Sequence, residues 1–286
     1  MKKKYFKAAM KVLAIMITGA LLSEVLFINT EASPLKTPEE EMGETEAAAE
    51  EPEMDELPAE NTDESNEVMI PQPIPFMEHP ISEDAHEYYS RSVFVGDSIM
   101  AGYRTYSAYY KDSPVSTATF LAVPSYTSWR AVKSSGSIQP LYKGKKQSVC
   151  ANLSEMDNVD RVFILFGAND LLMKDAFRAA DDMMTLVDQI HETNPEIEVH
   201  IVSMTPVPAG VNKGALNNPS IDGFNGLLIQ GAKEHGAYYI DINTALKDTT
   251  GNLPGRYCWD GFVHVNNAAY AEVWDPIFAR YAVSEE

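Results

Sequence analysis

The 286 residues carry 22 Lys and Arg against 42 Asp and Glu, a formal charge of −20, and the acid is concentrated in one stretch. Residues 1–30 hold five Lys and one Glu, residues 31–87 nineteen acids and one Lys, and residues 88–286 twenty-two acids and sixteen bases. With no Lys/Arg stripe to neutralise a phosphate backbone, nucleic acid is excluded as a partner, and two cysteines are too few for a disulfide scaffold or a Cys-rich zinc site.

In chain order, Lys2, Lys3, Lys4, Lys7 and Lys11 precede an apolar run, Val12 to Leu22, that resumes at Val25–Ile28 after Ser23 and Glu24. This reads as an export segment over residues 1–32. It is either a signal peptide cut after Ala32, with Thr30 and Ala32 as the small flanking residues, or an uncleaved anchor at the short limit of a membrane span. Both place the rest of the chain outside the cytoplasm, secreted or attached to the membrane. Residues 33–87, with Glu39-Glu40-Glu41, Glu50-Glu51 and eight prolines from Pro34 to Pro80, cannot bury enough apolar surface to offset their ordering entropy. They read as an extended acidic linker.

From Tyr88 to the end, residues 88–286, the pattern is that of one folded domain. Short apolar runs predict strands at Ser92–Val95, Thr119–Val123, Arg161–Phe166, Glu198–Ser203 and Ala237–Ile242. Helical spacing predicts helices over Asp175–Glu192, Ile221–His235 and Asn267–Tyr281. Strands alternating with helices imply an α/β domain, a five-stranded parallel sheet covered on both faces, with its ligand site beyond the strand C-termini.

Three groups of reactive side chains fall at such ends. The first strand runs into Gly96-Asp97-Ser98, which places Ser98 where a strand turns into a helix: a nucleophile's position, or that of an N-capping Ser. The third ends in Gly167-Ala168-Asn169-Asp170, where Gly167 permits a tight turn and the Asn169 amide is able to donate to a developing oxyanion. After the fifth comes Trp259-Asp260-Gly261-Phe262-Val263-His264. A serine hydroxyl needs a base to take its proton, and an imidazole needs a carboxylate to fix its tautomer.

In this order the motifs resemble the SGNH/GDSL hydrolase family over residues 88–286, with Met204-Thr205-Pro206 after the fourth strand fitting as well. The resemblance implies a three-layer α/β/α sandwich with a flavodoxin-like sheet. It also implies ester hydrolysis without cofactor or metal: Ser98 as nucleophile, His264 as base, Asp260 as its orienter. Its oxyanion hole is built from the Ser98 and Ser125 backbone N–H groups and the Asn169 amide, with Asp97, Gly167, Tyr126 and Trp259 expected against the substrate. Two departures stand out. Ser125 occupies the position of the family's glycine, and Asp260 lies four residues before His264 where the family has three. The latter predicts that Asp260→Asn is milder than His264→Ala. The lack of Gly-x-Ser-x-Gly excludes the α/β-hydrolase elbow.

His79, His86, His191, His200 and His235 show no metal-binding spacing. Cys150 and Cys258 either pair, bracing the loop of Asp260 and His264, or remain buried thiols. Tyr103, Tyr106, Tyr109, Tyr110, Tyr126 and Trp129 are packing residues or faces for sugar rings. The function expected is a secreted or surface-tethered serine esterase acting on a small-molecule or polysaccharide O-acyl ester, favoured as an O-acetylated envelope carbohydrate. An O-acyltransferase, a lysophospholipase or lipase, and a non-catalytic carbohydrate-binding domain are the alternatives.

Overall fold

A computed structural model describes residues 83–133 and 136–283; the expected export segment, residues 1–32, and residues 33–82 of the expected linker lie outside the described residues. The first element, α1 (Glu83–Ser90), begins inside the stretch read as linker. Its acidic composition conceals Ala85 and Tyr89, one helical turn apart and both buried.

The sheet consists of β1 (Ser92–Gly96), β2 (Thr119–Ala122), β5 (Arg161–Leu165), β6 (Glu198–Val202) and β7 (Tyr238–Ile240), in the order β2-β1-β5-β6-β7 and parallel throughout. All five expected strands are present, each within two residues of its expected bounds. Between β2 and β5 lies a two-stranded hairpin, β3 (Leu141–Tyr142) and β4 (Lys145–Lys146), which strands of two residues leave without a periodic signature. Lys143 and Gly144 at its tip have φ of 45° and 82°, the left-handed pair a two-residue hairpin loop requires.

One row of rings crosses all five strands. Phe120, Phe94, Phe163, His200 and Tyr238 are register partners, stacked in turn at 5.1, 4.6, 4.6 and 4.9 Å between centroids. His200 is therefore a core side chain; burial lowers its pKa to about 3, and its Nδ1 lies 2.9 Å from the Tyr281 hydroxyl. Over this row pack α1, α2 (Ser98–Tyr109) and α10 (Asp275–Val283), through Tyr89, Tyr103 and Phe278. Packed against one another in a separate group are α3 (Ser128–Val132), α4 (Val149–Leu153), α6 (Ala176–Thr193) and α7 (Asn218–Glu234). Two short helices, α5 (Ala168–Leu171) and α8 (Asn243–Leu246), come directly after β5 and β7. Together the helices and sheet form the α/β sandwich.

Capping explains the helix starts: Asp175 accepts from Arg178 N ahead of α6, and Asn217 from Ser220 N ahead of α7, whose Pro219 suits the first turn. The last expected helix is divided. α9 (Asn267–Ala269) runs into a π turn (Tyr270–Trp274) before α10. Pro276 lacks the N–H that would continue an α-helical ladder, and the chain widens by one residue just upstream.

Strand order reverses at β1. Loops leaving β1 and β5 therefore diverge and open a crevice beyond their C-terminal ends.

Candidate active site

Ser98, Asn169 and His264 meet at this crevice. Ser98 is the first residue of α2, and the cap is Asp97, whose side chain accepts from Ile99 N at 2.9 Å. Capping thus falls to Asp97. Ser98 keeps its hydroxyl for other use, half-buried, with an N–H that has no acceptor within the helix.

The hydroxyl lies 2.9 Å from His264 Nε2, and His264 Nδ1 lies 2.6 Å from Asp260 Oδ2. The unusual spacing of acid and base is absorbed locally. Asp260 Oδ1 accepts from the N–H groups of Phe262, Val263 and His264 at 2.9, 3.0 and 3.1 Å, folding the loop around the carboxylate, while Gly261 takes a φ of 70°. Below it, Cys258 and Val265 form a bridge, closed by Trp259 N to His264 O at 2.8 Å and Asn266 N to Tyr257 O at 2.9 Å. The extra residue thus leaves the carboxylate in reach of the imidazole, and the expectation of a weakly placed acid is corrected. Partial burial pushes the Asp260 carboxyl up, but the His264 hydrogen bond and the backbone donors outweigh it and hold it at about 2.

Asn169 is half-buried. Its Nδ2 donates to Asp97 Oδ2 and to Tyr126 O, each at 3.3 Å. Ser125 is exposed, with φ of 61°, a left-handed conformation that costs a serine energy and a glycine almost none. This is the conformational reason a glycine suits the position. Arg130 Nη1 donates to Ser125 O at 2.8 Å and steadies the turn. Gly167, at φ of 133°, is also closely packed: a Cβ there would come within 2.8 Å of the Phe224 ring.

Of the four residues expected against the substrate, Asp97 and Tyr126 are fully buried and Gly167 lies inside the turn. All three support the site from beneath, a correction whose cause is the close packing of the two turns. Trp259 is 56 % exposed, its ring edge-on to His264 at 6.3 Å. Of the aromatic cluster, the tyrosines carried by α2 follow the packing alternative or lie away from the site. Tyr103 and Tyr106 are core residues whose hydroxyls bond Asp275 at 2.7 and 3.0 Å, and Tyr109 and Tyr110 stand at the far end of α2, about 16 Å along its axis from Ser98. Cys150 and Cys258 are separate thiols; Cys258 Sγ lies 3.7 Å from Asp260 Oδ1. Of the two alternatives for these cysteines the unpaired one holds, and the loop is braced by the hydrogen bonds of Asp260.

Sequence reasoning missed Asp170. It is buried, and its Oδ1 accepts from Ser128 N and Ser128 Oγ at 3.0 and 2.7 Å, joining the turn after β5 to the start of α3. Burial pushes Asp170 up to about 6 and Asp97 up to about 7, the latter with help from the charge of Asp170. The signal, a second acid after Asn169, has the sequence signature of an ordinary turn cap. Among the described residues no cluster of three His, Cys, Asp or Glu side chains is placed to hold a metal.

The arrangement provides a hydroxyl bonded to an imidazole, the imidazole bonded to a carboxylate, and donors from three loops around them. Such a set is able to transfer an acyl group through serine.

Residues 94–272 match the GDSL-like lipase/acylhydrolase family. The chain is 30% identical over 112 residues to an N-acylneuraminate cytidylyltransferase of Escherichia coli O18:K1:H7, a stretch that is 38% of this chain and 25% of that protein. It thus spans about a quarter of that relative's length. Similar solved structures include a GDSL-like lipase from Bacteroides thetaiotaomicron, 15% identical with a TM-score of 0.53, covering 70% of this chain and 91% of the other. Another, described as an acylhydrolase from Bacteroides fragilis, is 17% identical with a TM-score of 0.51, covering 68% and 86%. At these identities the likeness is one of fold.

Proposed function

The chain belongs to the GDSL-like lipase/acylhydrolase family, and we propose that it is a serine ester hydrolase in which Ser98, His264 and Asp260 perform the hydrolysis, with an O-acetylated carbohydrate outside the cytoplasm as its substrate. The continuous hydrogen-bonded line from Ser98 Oγ through both ring nitrogens of His264 to Asp260 Oδ2, at 2.9 and 2.6 Å, carries the assignment of roles.

His264 Nε2 takes the proton as Ser98 Oγ attacks the ester carbonyl, and Asp260 stabilises the imidazolium that forms. The oxyanion is received by the Ser98 N–H, the Ser125 N–H and the Asn169 amide. His264 returns its proton to the departing alcohol. A water, deprotonated by the same imidazole, then releases the acid from Ser98. Trp259 offers an exposed flat ring at the edge of this site, suited to a sugar face. The Lys-rich, apolar start of the chain supports export, and export supports a substrate outside the cell.

The test is turnover of an aryl acetate and of acetylated oligosaccharides by wild type and Ser98→Ala, with a fluorophosphonate probe of Ser98. Turnover and labelling that both vanish in Ser98→Ala are expected. Labelled protein that turns over only long-chain lipid esters would sink the carbohydrate assignment.

A further inference from the structure

We propose that Asp97 is a positioning residue that acts through Asn169, holding the amide beside the nucleophile in the plane that oxyanion donation requires. This rests on the hydrolase reading and deepens it.

The two carboxyl oxygens have different partners. Oδ1 accepts from Ile99 N at 2.9 Å and so caps the helix that begins with Ser98. Oδ2 accepts from Asn169 Nδ2 at 3.3 Å. One buried side chain therefore joins the nucleophile's turn to the oxyanion donor's turn across the crevice between β1 and β5. The same nitrogen donates to Tyr126 O, also at 3.3 Å, from the loop after β2.

A primary amide has two N–H groups on a torsion that is broad and soft. Two acceptors from two loops remove that freedom. Both bonds are at the long end of the hydrogen-bond range, so a charged oxyanion arriving at the same nitrogen is able to draw on either hydrogen without breaking a strong contact.

Residue type matters for the same reason. A serine at 97 would cap the helix but fall short of Asn169. An asparagine that kept its oxygen on Ile99 N would turn an NH2 toward the NH2 of Asn169. A carboxyl group offers an acceptor in both directions. It does so at a cost, since Asp97 is fully buried with the buried Asp170 nearby, and burial pushes it up to about 7. A helix cap alone needs neither the burial nor the second oxygen.

The experiment is a double-mutant cycle on an aryl acetate: wild type, Asp97→Ser, Asn169→Ala and the double variant. Asn169→Ala is expected to lower kcat by about 10²–10³-fold. Asp97→Ser, which retains a capping hydroxyl, is expected to lower kcat by about 10–10²-fold with KM within about threefold, and to cost less than about threefold once Asn169 is gone. An equal cost in both backgrounds overturns the proposal, as does a rise in KM with kcat unchanged. If Asp97→Ser does not fold, Asp97→Asn completes the same cycle. Wild type that turns over no ester overturns the hydrolase reading and this inference together; turnover with an additive cycle overturns this inference alone.

Discussion

Asp260 holds His264 at 2.6 Å while its other oxygen takes three backbone N–H groups, so the acid is fixed more firmly than its partner. Asp260→Asn would present an amide where a carboxylate now accepts and stabilises charge. It is expected to lower turnover by about 10⁴, close to the effect of His264→Ala, because an imidazole without its carboxylate is left in the wrong tautomer. Parallel measurements of kcat on one aryl ester decide this; a loss of less than about tenfold for Asp260→Asn would show that another acceptor serves Nδ1. Ser125 invites the opposite experiment. At φ of 61°, Ser125→Gly is expected to keep turnover within about threefold and to leave stability unchanged or higher by up to about 1 kcal/mol, while the β-branched Ser125→Val loses both. Thermal melting and turnover of the pair provide the check.

The strands and the turns that end them carry the site, and those are legible in the sequence. Apolar runs bounded by turn residues mark every strand of the sheet, and the reactive residues lie where those runs stop. What stays hidden has local causes. Gly-Asp-Ser and Asn-Asp look polar and therefore exposed, yet Asp97 and Asp170 are buried because two turns pack against one another across the crevice. The tyrosines after β1 are close in sequence, but α2 sends Tyr103 and Tyr106 into the core and carries Tyr109 to the far end, and no linear pattern shows direction. Gly167 is where strand and turn are least tolerant of change. With φ of 133° and the Phe224 ring 2.8 Å from the place of a Cβ, Gly167→Ala is expected to cost about 2–4 kcal/mol and to displace Asn169. A chemical denaturation midpoint that does not move would refute the packing argument.

For the domain, the buried acids set how stability varies with pH. Asp97 and Asp170 titrate near 3.8 when unfolded but at about 7 and about 6 when folded. Between those values the folded protein binds protons that the unfolded chain has lost, so stability is greatest below about pH 4 for these groups and falls as pH rises toward 7. Asp260 has the opposite sign: with a folded value of about 2, its contribution is present above 3.8 and is lost as pH falls through 2. These three groups together place the maximum at about pH 3.5. Melting temperatures from pH 4 to 8 are expected to decline, and Asp97→Asn is expected to flatten the decline; a rise over that window would contradict the assignment. A chain beginning at Pro80 is expected to melt as the full-length protein does and to hydrolyse small esters equally well, since every group of the site lies between Gly96 and His264. Loss of aryl acetate turnover in such a chain, once folded, would contradict this.

Parallel pairing throughout the sheet has a further consequence, in time. No strand pair of the sheet is joined by a tight hairpin, so each pairing must wait for a crossover to close, and the domain belongs among slow folders. The bond between Ser98 and His264 spans 166 residues, and it requires both the first turn of the sheet and the loop ahead of the last helix to have arrived. Returning esterase activity is therefore a stricter clock for refolding than fluorescence of the buried Trp274, and the interval between the two measures how late that final loop docks.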